Sequence, residues 1–134
     1  MDILSTRFRD LSVTILRVFS GLLFAEHGAQ KLFGALGGVN GHGMSAPFGG
    51  VVWLAGMLEF FGGLLLVVGL FTRPVALLLM LEMAYAYFTV HFPYGVWPIE
   101  NRGELALLYF FIFLFFALNG GGLLRLEGLM GRER

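Results

Sequence analysis

Long apolar stretches follow one another along this chain, each broken by only a few ionisable residues. The pattern predicts four helical spans, at about residues 11–33, 51–71, 75–92 and 104–120, because crossing the hydrocarbon takes about 20 mostly apolar residues. The first is the most polar, interrupted by Arg17, Glu26, His27 and Lys31. The second holds one charge, Glu59, and the third holds Glu82 with His91 near its end. The fourth is apolar on all sides and reads as a lipid-facing or partner-facing surface. Thr72-Arg73-Pro74 reads as a tight hairpin connection, since proline restricts the residue before it. Residues 34–50 and 93–103 are longer loops rich in Gly and Pro, and residues 120–134 read as a short amphipathic tail at the interface.

Composition makes the membrane reading firm. Apolar residues are 57% and charged residues 13% of the 134, where a soluble domain carries about 45–50% and about 25%. The mean hydropathy is +0.80. Such a chain cannot cover a water-facing surface, so it is expected to be an all-α integral membrane protein of one domain rather than a soluble enzyme. Nine basic residues balance nine acidic ones, which argues against nucleic-acid binding. With no cysteine, the chain has no disulfide, thiolate-bound metal or dithiol chemistry of its own.

Basic residues set the expected orientation. In a four-span bundle Arg7, Arg9, Arg73, Arg125, Arg132 and Arg134 fall on one side, and Lys31 and Arg102 on the other. Both termini are therefore expected in the cytoplasm, with the two long loops outside. Arg17 breaks the early apolar run and no small-x-small site follows, so no cleaved signal peptide is expected.

Charge within a span usually faces the bundle interior or water. Glu59 lies about 12 Å along its helix from Val51, and Ala55, Gly56, Gly62 and Gly63 share its face. Small residues admit a neighbouring helix closely, so Glu59 is expected at a helix contact, either in a structural ion pair or at a proton or ligand site. Glu82 lies about 10 Å from Val75, on a face with Tyr85, Ala86 and Thr89, while Tyr87 and His91 fall on another. Its structural role would be to partner Arg17 or a tyrosine hydroxyl.

On the first helix Arg17, Phe24, Gly28 and Lys31 form one stripe, with Glu26 nearly opposite Arg17. Arg17 either snorkels to the headgroups or pairs internally. The cluster Glu26, His27 and Lys31 carries more polar groups than anchoring needs, which suggests a site near the outer surface. Asn101-x-x-Glu104 has the spacing of a helix N-terminus, and Arg102 and Glu104 also reach an outer pocket. Trp53, Trp97 and Tyr94 suit an interfacial aromatic belt, although any of them can stack on a flat ring. His27 and His91 lie toward the same side, so haem ligation between them is geometrically open, but no metal-ligand spacing supports it.

Three ordered motifs make the chain resemble the DoxX family of small four-helix membrane proteins. They are Leu16-Arg17-x-x-x-Gly21 leading to His27-Gly28-x-x-Lys31-Leu32, then Glu59-x-x-Gly62-Gly63-x-Leu65-Leu66-x-x-Gly69-Leu70-x-Thr72-Arg73, then Asn101-x-Gly103-Glu104-Leu105-Ala106. The resemblance implies a redox-associated role in a bacterial or archaeal cytoplasmic membrane. Relatives include the large subunit of thiosulfate:quinone oxidoreductase, and members linked with superoxide dismutase and a sulfurtransferase in a membrane complex. Members that work through cysteine thiols are poor guides, because this chain has none.

The leading expectation is a quinone-linked redox component. Glu59, His27 and Glu104 would serve chemistry, and Lys31, Glu26, Glu82, Tyr85, His91, Arg102 and Trp53 would line the site. Arg17, Gly62, Gly63, Arg73 and Asn101 would be structural. Quinone is the expected cofactor and haem the weaker one. The competing expectation is a non-catalytic anchor or assembly partner for redox enzymes, alone or as a homo-oligomer. A small-solute or proton pathway is a third, with no repeat or broken helix to support it.

Overall fold

Glycines set where the helices of this chain stop and how closely they approach. A computed structural model describes residues 3–131, and among these the structure is helical with no strand. Helix α1 spans Ile3–Phe33, α2 Val51–Val68 and α3 Thr72–Ala86. The chain of α3 continues through a π-turn, Tyr87–His91, and a 3-10 turn, Phe92–Tyr94. Helix α4 is the short Pro98–Asn101, α5 is Glu104–Asn119 and α6 is Leu126–Leu129. Val51–Val68 and Thr72–Tyr94 are long and apolar enough to cross a membrane, and Glu104–Asn119 is a shorter apolar helix. Arg132 and Arg134, which enter the orientation argument, lie outside the described residues.

The helices pack as two pairs, α1 along α2 and α3 along α5, joined where α2 meets α3. The first pair closes on glycine. A Cβ on Gly21 would stand 2.7 Å from the Gly63 carbonyl oxygen, and one on Gly63 would stand 2.7 Å from the Ala25 nitrogen. Gly62 turns the other way, where a Cβ would meet the Leu79 side chain of α3 at 2.8 Å. Adjacent glycines thus let α2 touch two neighbours at backbone distance, the use of small residues usual in membrane bundles. Phe24 links α1 to the second pair, with ring centroids 4.9 Å from Tyr109 and 4.8 Å from Phe113. Leu66, Leu79, Phe113 and Phe116 complete a dry centre. Phe19, Leu54, Phe61, Leu81, Leu108 and Phe111 point outward and exposed, an apolar surface far larger than a water-soluble monomer of this size presents.

Several expectations are corrected. The second helix ends at Val68, because Gly69 takes the left-handed conformation (φ 69°) and its N–H caps the carbonyls of Leu65 and Leu66. Thr72-Arg73-Pro74 is the first turn of α3 rather than the connection. Proline is harmless there, because its missing N–H would have had no helical partner. Helix α5 is not lipid-facing all round: Ala106, Tyr109, Phe113 and Phe116 are buried in a stripe. Between its terminal Glu104 and Asn119 that helix is apolar but for the Tyr109 hydroxyl, so its sequence carries no periodicity to say which stripe is inside.

Arg17 does not snorkel. It is 1% exposed, and its guanidinium donates to the carbonyls of Gly121 and Leu124. The segment after α5 folds back over this end of the bundle. Leu123 N–H donates to Thr14 Oγ1 at 2.8 Å, Glu127 N–H to the Gly69 carbonyl at 3.1 Å, and Thr72 N–H to the Glu127 carboxylate at 3.2 Å. These bonds form a clasp over α1 and the α2–α3 junction. Arg73 and Arg125 sit on it, against Gly120 and Gly69.

Candidate functional site

At the opposite end the helices part around a cavity of about 390 Å³, to which α1, α2, α3 with its π-turn, and α5 all contribute. Its walls are mainly apolar, among them Phe24, Val52, Ala55, Met83 and Ala86. Its polar lining is Lys31 and His27 from α1, Glu59 from α2, Glu82 and Tyr85 from α3, His91 from the π-turn, and Arg102 and Tyr109 beyond it.

Lys31 is one full helical stretch away from the clasp and reaches across to α2. Its ammonium donates to Glu59 Oε1 at 2.6 Å and also to Oε2. The carboxylate side chain is 4% exposed and the lysine 24%. Gly56 makes this reach possible, since a Cβ there would stand 2.8 Å from Lys31 Cβ. The lysine end is fixed as well, because its carbonyl accepts from Ala46 N–H at 2.7 Å and so ties down the loop at 34–50. A pair bonded through both oxygens is the strong arrangement for a desolvated charge.

Glu82 is different. Both of its oxygens are buried and neither has a hydrogen-bond partner. It takes neither of the partners expected of it, since Arg17 is committed to the clasp and no tyrosine hydroxyl bonds it. An unpartnered buried carboxyl is costly, at about 1–3 kcal/mol or more.

The π-turn explains His91. Regular helical spacing puts it with Tyr87, away from Glu82. The turn Tyr87–His91 widens the helix and shifts register, so that Tyr87 goes into the core while His91 joins Glu82 at the cavity. The His91 Nδ1 is held 3.1 Å from the Asn101 carbonyl. Asn101 is buried and staples this loop: Nδ2 donates to the Gly95 carbonyl at 2.9 Å and to the Tyr87 hydroxyl at 3.3 Å, and Oδ1 accepts from Gly103 N–H at 2.8 Å. It is therefore not the cap of α5, a position taken by Gly103 without a side-chain bond. Arg102 sits between them in the left-handed region at φ 58°, a conformation uncommon outside glycine.

The structure thus brings together Glu59, His27, Lys31, Glu82, Tyr85, His91 and Arg102. It leaves out three candidates. Glu26 is exposed on the far side of α1, Glu104 is exposed at the start of α5, and Trp53 packs on Phe48 with centroids 4.7 Å apart; none of them lines the cavity. Tyr109 was missed. It is the one hydroxyl in the apolar run of α5, and it sits edge-on to His27 with centroids 6.1 Å apart. Among the described residues no group of three His, Asp or Glu stands close enough to hold a metal ion. The volume is within the roughly 300–1,000 Å³ of small-molecule sites, which are mostly apolar with a few convergent polar groups.

The chain belongs to the DoxX family, whose pattern matches residues 12–92. That stretch carries Lys31, Glu59, Glu82 and both cavity histidines, and stops short of Arg102, Tyr109 and the clasp. The chain is 38% identical over 124 residues, 90% of its length and 92% of the relative's, to an uncharacterized protein of Haemophilus influenzae. It is 28% identical over 118 residues, 88% of its length and 86% of the relative's, to a Bacillus subtilis protein named "Putative oxidoreductase CatD". No solved structure matches it. DoxX is a membrane family, in keeping with the apolar helices described above.

Proposed function

We propose that this DoxX-family protein is a quinone-binding component of a redox system in the cytoplasmic membrane of a bacterium or archaeon. In this reading α1, α2, α3 and α5 all cross the bilayer, with both termini inside. The clasp end carries Arg73 and Arg125 beside the arginine-bearing start of α1, and the positive-inside tendency favours that end for the cytoplasm. The cavity then opens toward the outer leaflet.

One observation carries the proposal: an apolar cavity between membrane-crossing helices whose lining combines an ion pair, an unpartnered carboxyl and two histidines. A quinone, when bound, supplies chemistry that moves two electrons and two protons. The chain's own residues would do the rest. Phe24, Met83 and Ala86 would hold the ring, and His27, His91 and Glu82 would supply hydrogen bonds or protons to its oxygens. The Lys31–Glu59 pair keeps α1 and α2 in register around it. The name of the Bacillus subtilis relative points in the same direction.

The test is the organic extract of protein purified in mild detergent, with its absorption spectrum recorded first. Near-stoichiometric quinone is expected, falling at least several-fold in Glu59→Gln, which releases the Lys31 ammonium into the cavity. Protein with no quinone, no visible absorption band and a soluble redox enzyme still attached would instead be an anchor. A haem band would hand the site to the two histidines.

A further inference from the structure

Glu82 and Glu59 lie on neighbouring helices and line the same cavity as Lys31, yet their situations differ. Lys31 gives both oxygens of Glu59 a partner, so its charge is spoken for. Glu82 borders the same cavity with both oxygens buried and without a bond. As an anion it would face a second carboxylate, apolar walls and no committed cation. As a neutral acid it has one O–H donor to offer and a surface that accepts an uncharged ring.

We infer that Glu82, in its protonated form, is the hydrogen-bond donor that anchors the ligand's carbonyl oxygen, while Lys31–Glu59 is a strut that contacts no ligand atom. This rests on the quinone-binding reading and deepens it. The buried end of the site favours an uncharged, carbonyl-bearing ring, because its ion pair is already internally neutral. Binding is also tied to pH. A neutral acid donates, whereas an ionised one both loses the donor and repels a carbonyl oxygen, so affinity is present below the ionisation of Glu82 and lost above it. The other titratable or charged groups facing this space are Lys31 and His27 from α1, Glu59 from α2, and Tyr109 from α5. His91 and Arg102 join them from the connecting segment, and Tyr85 from α3 itself.

The experiment is calorimetric titration of the purified full chain in lipid nanodiscs with a short-chain benzoquinone, across a pH series. Wild type, Glu82→Gln and Glu82→Leu are compared, with helix content as the folding control. Wild-type affinity is expected to fall about ten-fold or more as pH rises, the size of one lost hydrogen bond with an added repulsion. Glu82→Gln keeps a neutral N–H donor and is expected to rescue binding to within about three-fold of the acidic wild type, with the pH dependence gone. Glu82→Leu is expected to bind about ten-fold more weakly at every pH. A wild-type pH profile in Glu82→Gln, or wild-type affinity in Glu82→Leu, overturns the inference while leaving quinone binding intact. If Glu82→Leu does not fold, the Glu82→Gln profile decides alone. A wild type that binds the quinone at no pH removes the functional reading itself, and this inference with it.

Discussion

Two cationic residues of α1, Arg17 and Lys31, both bury charge within the bundle, about 21 Å apart along the helix, and they are satisfied in opposite ways. Arg17 is enclosed by the clasp and bonded to two backbone carbonyls that arrive from the far end of the chain. The planar guanidinium, with donors fixed in a fork, suits two carbonyls at once. Lys31 is bonded to a single carboxylate, which itself borders a cavity holding a second carboxyl without a partner. The contrast teaches that a buried charge is not evidence of function by itself. What distinguishes the two ends is where their unbonded groups stand: Arg17 Nε and the Thr72 hydroxyl are enclosed by the chain itself, whereas both oxygens of Glu82 border the cavity. At the clasp the chain closes on itself; at the cavity it leaves groups available.

The largest effect that would break this comparison belongs to the clasp. Arg17→Met leaves the Gly121 and Leu124 carbonyls without their donor and is expected to destabilise the fold by about 3 kcal/mol or more, since bonds to charged groups are worth about 1.5–3 kcal/mol each. Thermal unfolding in detergent measures this, together with faster proteolysis after Asn119 as the clasp is released. A wild-type melting curve would mean that the clasp is dispensable.

A middle-sized effect sharpens the role of the ion pair. Lys31→Met alone strands Glu59 and is expected to cost about 3 kcal/mol, whereas Lys31→Met combined with Glu59→Met removes both charges and is expected to recover most of that loss. The coupling energy from this double-mutant cycle, read from the same melts, should exceed about 1 kcal/mol. Additive losses would mean that the two side chains act independently and that the strut is not one.

The smallest effects are expected at the acids outside the cavity. Glu26→Gln and Glu104→Gln should each change stability by less than about 0.5 kcal/mol and leave the quinone content of the extract unchanged. A loss of quinone in either would enlarge the site beyond the cavity described.

Much of this was legible in the sequence. Runs of apolar residues long enough for a bilayer determined the helical membrane class, because no water is present there to satisfy an open backbone. Glu59 beside Gly56, Gly62 and Gly63 already implied a carboxylate at a close helix contact, since helical spacing fixes which residues share a face. The ordered motifs from Leu16 to Ala106 implied the family. The almost continuously apolar α5 hid its buried face and Tyr109 for want of periodicity. The π-turn hid the route of His91, because a register shift of the backbone leaves no mark in residue spacing.

What only the tertiary structure decided was partnership. Lys31 and Glu59 are 28 positions apart, and Arg17 and Gly121 are 104 apart. No local pattern links such residues, since their contact depends on how whole helices cross and where the chain folds back. The sequence by itself determined that costly charges had to be met inside the bundle. Which ones close on each other, and which one stands at a cavity with its oxygens unbonded, followed from packing alone.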